Sequence, residues 1–270
     1  MTLATPHQLR ASDLRNDLDT RRVGREILVL PEIDSTNTYA LNSISGESGR
    51  SWDGQVVFAE MQTAGRGRLG RSWRVPRGAG LMFTTLLREP VGRSSPASYV
   101  MAAAVATTDA IAESTDVEPA IRWPNDIYVG TRKLAGILVE IRTLEPGARV
   151  VAIGIGVNCL QHADHFADDI RDRATSLEIE SKYPVDRVRV GRAILRRLDH
   201  FFADPDRIDD ENLSSLWQQR SADINTRVNL QHDGRAYTGR IVEVHPRTGL
   251  LLQLDSGARR EFDPATTTRL

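Results

Sequence analysis

Lysine occurs at two positions in this 270-residue chain, Lys133 and Lys182, and every other basic residue is arginine. Lys133 opens the run Lys133-Leu134-Ala135-Gly136-Ile137-Leu138-Val139-Glu140. A compact, strongly hydrated ammonium at the mouth of an apolar strand can reach a phosphate or a carboxylate. It can equally be a charge that guards a strand edge. Gly136 removes bulk three residues on. Just upstream lies Arg122-Trp123-Pro124-Asn125-Asp126, in which Pro124 predicts an extended Trp123 and Asn125-Asp126 is a turn-prone polar pair.

A second group is denser in charge. Gln62 to Gly80 holds five glycines and five arginines. Within it, Gly65-Arg66-Gly67-Arg68-Leu69-Gly70 has the spacing of a dinucleotide-binding fingerprint. That reading needs a helix to open after the last glycine. The chain continues Arg71-Ser72-Trp73-Arg74-Val75-Pro76-Arg77-Gly78, where proline and glycine oppose a helix. Arginines this close repel one another unless an anion neutralises them. Glycines let the backbone approach a ligand and leave N–H groups free to donate. Trp73 offers a flat face for a base. The loop therefore suits a nucleotide or acyl-phosphate over which it orders. A solvated basic loop or an RNA-binding surface has the same composition.

Two shorter segments add polar groups. Asp34-Ser35-Thr36-Asn37 can hydrogen-bond a neutral polar ligand or simply cap a helix. Gly154-Ile155-Gly156-Val157-Asn158 places glycines inside a strand, a mark of close approach, and Asn158 can offer an oxygen to magnesium or a nucleotide. Cys159 reads as a core thiol. The six histidines have no metal-binding spacing, and His162 and His165 fall in what reads as a solvated acidic loop.

These groups must be held by strands and helices. Strand runs are predicted at 26–30, 55–61, 81–87, 121–129, 134–142 and 149–160. Helices are predicted at 38–44, 96–114, 186–202 and 208–220, with a short polar helix or arm over 7–20. After Thr226 come four short strand runs, 227–231, 235–244, 250–254 and 259–262, separated by turn residues, as in a small antiparallel barrel. Hydrophobic residues are 40% and charged residues 26%, enough for a substantial core. A net charge of −1 excludes a molecule tuned as a whole to nucleic acid. One cysteine excludes an intramolecular disulfide and fits a reducing cytoplasm. No run of about 18 apolar residues is present.

Together, Asp34 to Asn37, Gln62 to Trp73, Trp123 to Asp126 with Lys133 to Glu140, and Gly154 to Asn158 resemble the catalytic domain of biotin–protein ligases, in order and spacing, over about residues 26–222. The resemblance implies an α+β fold: a mixed β-sheet with flanking helices of the class II synthetase-like, biotin–lipoate ligase type, with residues 223–270 as a small SH3-like β-barrel. Residues 1–25 are then an N-terminal extension, too short for the DNA-binding module that some members carry, so no DNA binding is expected. The implied activity is ATP-dependent formation of biotinyl-5'-AMP and transfer of biotin to a lysine of a biotin carboxyl carrier protein. Ser35, Thr36, Asn37, Gln62, Arg66, Gly67, Arg68, Lys133 and Gly136 would hold biotin. Arg66, Arg71, Trp73, Lys133 and Asn158 would hold ATP and the adenylate, with Lys133 and Arg68 catalytic. Asn158 and Asp126 would support Mg²⁺. A cytoplasmic monomer or weak homodimer, away from membranes, is expected. Arg122 stands where the family often has lysine, and Leu69 where some members have a basic residue. The alternative of the same fold is a lipoate–protein ligase or octanoyl transferase, against which the glycine–arginine loop speaks.

Overall fold

The computed structural model describes residues 8–44, 52–145, 147–204 and 207–270. Seven strands form one mixed sheet: β1 (Ile27–Leu30), β2 (Val56–Ala59), β3 (Gly80–Pro90), β4 (Ala120–Arg122), β5 (Asp126–Val129), β6 (Arg132–Glu145) and β7 (Ala148–Asn158). Their order is β1-β2-β3-β7-β6-β5-β4. β1 and β2 run parallel, and the other neighbours are antiparallel.

Strand side chains alternate between faces, and here the alternation separates core from cavity. Val56 and Phe58 of β2, Leu81, Phe83 and Leu87 of β3, Ala135 and Ile137 of β6, and Val151, Ile153, Ile155 and Val157 of β7 all join one buried cluster. α1 (Ala11–Arg15), α3 (Pro96–Ser114), α5 (Arg187–Phe202) and α6 (Asp210–Arg220) supply buried residues to the same cluster. Alanines 102, 103, 104, 106 and 110 of α3 are fully buried, and their small side chains let neighbours pack close. On the opposite face, α2 (Thr36–Ser43) packs Ala40 and Leu41 against Val57, Leu86, Val150 and Ala152. That helix covers one end of the face and leaves the rest open. A short α4 (Leu177–Glu180) follows the loop after β7.

Beyond α6 lies an antiparallel sheet of five strands: β8 (Arg227–His232), β9 (Arg235–His245), β10 (Gly249–Leu254), β11 (Arg259–Phe262) and β12 (Thr267–Arg269), in the order β11-β10-β9-β8-β12. Its buried residues, among them Val228, Ile241, Leu252 and Phe262, belong to the same apolar cluster as the large sheet. Ser214 of α6 donates to the Val244 carbonyl at 2.8 Å across the junction.

The run predicted as one strand over 121–129 is instead the hairpin β4–β5. Arg122 pairs with Asp126, and the turn passes through Trp123, Pro124 and Asn125, where the Trp123–Pro124 peptide is cis. Pro124 has no N–H for a ladder. Side chains occupy the remaining groups: Trp123 N–H donates to Asp223 Oδ2 at 2.9 Å, and Asn125 Nδ2 donates to the Ile137 carbonyl at 2.6 Å. The helix predicted at 38–44 begins two residues earlier, which brings Thr36 and Asn37 into its first turn. A fifth strand joins the four expected at the C-terminus, because Thr267–Arg269 pairs with β8. Residue 7 of the predicted N-terminal arm lies outside the described residues. Among the described residues, no helix is long and apolar enough to cross a membrane.

Candidate active site

The open face of the large sheet is cleared by glycine. Gly136 of β6 pairs with Gly156 of β7, a register with no side chain where the cavity lies, and Leu138 pairs with Gly154, a register with one. The space is taken by residues from elsewhere. A Cβ on Gly154 would fall 2.3 Å from Asn37 Oδ1, and one on Gly156 would fall 2.6 Å from Trp73 Cε2. Both glycines are thus contact surfaces for the Asn37 and Trp73 side chains. The resulting cavity has a volume of about 420 Å³, within the range of small-molecule sites.

Its floor is lined by neutral polar side chains, most of them hydrogen-bonded. Thr36 donates to Gln62 Oε1 through its backbone N–H at 2.8 Å and its hydroxyl at 3.1 Å. The Gln62 amide N–H₂ then faces Met82 Sδ at 3.5 Å. Asn37 accepts from Thr84 Oγ1 at 2.6 Å and donates to the Leu138 carbonyl at 3.3 Å and to Glu140 Oε2 at 2.7 Å. Ser35, Thr36 and Asn37 are buried. The Ser35 side chain occupies the N-cap position of α2 without making a capping hydrogen bond.

The roof is the glycine–arginine loop, and it is folded on itself. Gly67 N–H donates to the Arg71 carbonyl at 2.7 Å and Trp73 N–H to the Gly65 carbonyl at 2.9 Å, which makes a small hairpin with Arg68–Gly70 at its tip. Leu69 there has φ of 55° and is exposed. The loop's stem is anchored in the core: Gly78 N–H donates to the Glu60 carbonyl at 3.0 Å, and Arg187, paired with Glu60 at 2.8 Å, donates to the Gly80 carbonyl at 3.0 Å. Both members of that pair are buried, where loss of one partner leaves an uncompensated charge. Burial pushes the Arg68 guanidinium below its ordinary value, Asp126 opposes the shift and Arg71 adds to it. Arg68 donates to Asn125 Oδ1 at 3.3 Å and to the Pro264 carbonyl.

Lys133 joins floor and roof. Its Nζ stands 2.6 Å from Asp126 Oδ1, an ion pair whose angle is poor for a hydrogen bond, and 5.7 Å from the Trp73 ring centre. Trp73 Nε1–H is buried and finds no acceptor among the described residues. The far wall comes from the smaller sheet. Thr267 to Arg269 line the cavity, and Arg269 Nη1 lies 2.5 Å from Asp223 Oδ1. Asp223 also faces Arg122 Nε at 3.5 Å, whose guanidinium stacks 4.0 Å over the Tyr128 ring. Burial raises the Tyr128 phenol above its ordinary value, and Asp126 adds to that.

Of the residues singled out by sequence, Ser35, Thr36, Asn37 and Gln62 lie on the floor, Arg66, Gly67, Arg68, Arg71 and Trp73 form the roof, and Asp126, Lys133 and Gly136 join them. Asn158 stands behind the wall. Its Nδ2 donates to the Thr175 carbonyl at 2.9 Å and its Oδ1 accepts from Gln161 Nε2 at 2.8 Å. Magnesium bound by protein alone would need several oxygens. Among the described residues, no group of three His, Cys, Asp or Glu side chains forms such a site. Asp126 is the one acidic side chain on the cavity wall among them, so the chain fits a magnesium ion held mainly by a ligand's phosphates. Asn158 does not line the cavity, and its amide oxygen already accepts one hydrogen bond from Gln161. Sequence reading passed over Glu140, Asp223, Arg269 and Arg173. Glu140 closes the Lys133 motif, which was a signal. Arg173 and Arg269 reach the cavity by tertiary packing, and Asp223 stands behind it, paired with Arg122 and Arg269. Cys159 is fully buried, and burial pushes its thiol up to about 12.

Residues 29–158 match the biotin/lipoate A/B protein ligase family. The chain is 33% identical to a biotin–[acetyl-CoA-carboxylase] ligase of Paracoccus denitrificans over 88% of its own length and 97% of that protein's. It is 30% identical to the bifunctional ligase/repressor BirA of Bacillus spizizenii over 95% of its length and 78% of that protein's. In three dimensions it resembles the biotin protein ligase from Aquifex aeolicus in complex with biotin and ATP, with a TM-score of 0.70, 26% identity, and coverage of 91% of this chain and 100% of that one. The chain belongs to the biotin/lipoate A/B protein ligase family and is a ligase. Within that family its relatives here are biotin–protein ligases, and a lipoate ligase is not favoured.

Proposed function

We propose that the chain activates biotin with ATP to biotinyl-5'-AMP and transfers the biotinyl group to a lysine of a biotin carboxyl carrier protein. The observation that carries this is the cavity's division. A neutral, hydrogen-bonded floor on glycine-cleared strands meets a cationic roof, with Lys133 between them. The floor suits the uncharged ureido ring of biotin, held by Ser35, Thr36 and Gln62. Asn37 shapes that floor, since its amide already serves Thr84, Leu138 and Glu140. Gly136 leaves room beside Lys133 for the biotin carboxylate, and Gly67 keeps the roof close.

In the first step a carboxylate oxygen bonds to the α-phosphorus, the bond to the bridging oxygen breaks, and pyrophosphate leaves. Two anions approach each other. Lys133, Arg68 and Arg71 offset their repulsion and stabilise the charge that builds at phosphorus. Arg66, held by Glu140 at 2.8 Å, fixes the loop against the floor. Trp73 gives the adenine a stacking face. Mg²⁺ arriving on the triphosphate would be held by Asp126 and would screen the phosphate charges. In the second step the acceptor amine attacks the acyl carbon and AMP leaves, so no protein nucleophile is required. A closed loop protects the mixed anhydride from water.

The test is to incubate the protein with ATP, Mg²⁺ and either biotin or lipoate, and to measure acyl-AMP by mass spectrometry. Biotinyl-AMP without lipoyl-AMP is expected. Lipoyl-AMP alone, or no adenylate, overturns the reading.

A further inference from the structure

The cations on the cavity wall fall into two sets by partner. Lys133 faces Asp126, Arg66 faces Glu140, and Arg122 and Arg269 share Asp223. These pairs brace the walls. Arg68, Arg71 and Arg173 have no carboxylate within ion-pair distance among the described residues. Unpaired cations crowded into one cleft repel one another and concentrate anions there. Two of the three belong to the roof. Arg173 comes from a different segment, the loop between β7 and α4.

That segment is built to present Arg173. Lys133 N–H donates to the Arg173 carbonyl at 2.8 Å, and Thr175 N–H donates back to the Lys133 carbonyl at 2.9 Å, so residues 173–175 run parallel to the start of β6. Asn158 Nδ2 holds the Thr175 carbonyl at 2.9 Å from the other side, and Thr175 Oγ1 donates to Glu180 Oε1 at 2.5 Å. Ala174 and Thr175 are buried. The Arg173 side chain lies on the cavity wall, and its guanidinium has one contact among the described residues, Nη2 to the Asp169 carbonyl at 2.6 Å. A neutral carbonyl leaves the charge uncompensated and most of the planar fork of donors available, the geometry that grips phosphate oxygens two at a time.

We propose that Arg173, from a segment separate from the glycine–arginine loop, binds the polyphosphate of ATP next to Lys133, and that Asn158 positions it by anchoring Thr175. This rests on ATP being the nucleotide substrate. Arg173 and the roof arginines then share the phosphates, and pyrophosphate, the leaving group, is their common ligand.

The experiment uses the full chain with Arg173→Ala and Arg173→Lys. Inorganic pyrophosphate binding and biotin binding without nucleotide are measured by calorimetry, and the KM for ATP is measured at saturating biotin. For Arg173→Ala we expect pyrophosphate affinity to fall and the ATP KM to rise by about tenfold, the usual size for loss of a charge-assisted contact, with biotin affinity unchanged. Arg173→Lys keeps the charge and loses the fork, so it recovers part of the loss. Unchanged pyrophosphate affinity and ATP KM overturn the proposal. So does an equal loss of biotin affinity, which marks a merely structural role. A wild-type protein that makes no biotinyl-AMP sinks the substrate reading instead, and pyrophosphate binding still decides Arg173.

Discussion

The floor and the roof of the cavity solve opposite problems. On the floor, Thr36 bonds Gln62 and Thr84 bonds Asn37, which joins the first turn of α2 to the chain beyond β2 and to β3. A ligand there meets groups whose orientation is already fixed. On the roof, Arg68 and Arg71 have no carboxylate partner among the described residues, and Arg66 and Arg71 are exposed. The charge of Arg68 and Arg71 is balanced only when an anion enters. The difference teaches that the neutral part of a substrate is recognised by shape and fixed dipoles, while its anionic part is recognised by charge held ready on a loop. Lys133, rooted in β6 and paired with Asp126, belongs to both.

Removing that shared residue gives the largest effect. Lys133→Ala is expected to lower the rate of adenylate formation by about 10²–10³-fold, as for loss of a group that stabilises transition-state charge, while circular dichroism stays native. Near-normal turnover removes Lys133 from the mechanism. A smaller effect, confined to the roof, is expected from Gly156→Ala. The new methyl meets the Trp73 indole, so the ATP KM should rise by about tenfold, within the range of a 1–3 kcal/mol overpacking cost, and Trp73 fluorescence should shift. Unchanged fluorescence shows that Trp73 does not lie on that glycine. The smallest effect is expected from Cys159. Its raised thiol pKa means that between the ordinary value and about 12 the unfolded chain loses a proton that the native chain keeps. Stability therefore falls as pH rises through that window, and at about pH 9, near the ordinary thiol value, iodoacetamide should label the denatured protein and spare the native one. Rapid labelling of the native protein contradicts a buried thiol.

Much of this was legible in residues, and the exceptions have physical causes. Apolar runs bounded by turn residues marked most strands, and the glycines at 154 and 156 signalled close approach. That Gly156 faces Gly136 depends on strand register, which sequence does not state. The hairpin at Trp123–Asn125 was hidden because apolar residues continue on both sides of Pro124. β12 was hidden because Thr267-Thr268-Arg269 carries no apolar alternation, and it earns its place by pairing with β8. Asn158 read as an oxygen donor from its neighbours; that Gln161 and the Thr175 carbonyl hold its amide behind the cavity wall depends on tertiary packing. Arg173 was invisible amid Asp164, Asp168, Asp169 and Asp172, a composition typical of a solvated loop. Its backbone pairing with Lys133 is a tertiary fact.

The separation of floor from roof is tested most directly by a crossed pair of variants, Gly154→Ala and Arg71→Ala, with biotin and ATP affinities measured separately by calorimetry. The first drives a methyl into Asn37 and disturbs the floor, and the second removes a roof charge. The account predicts that Gly154→Ala weakens biotin and leaves ATP unchanged, and that Arg71→Ala does the reverse. If each variant weakens both ligands equally, floor and roof are one site and the account is wrong.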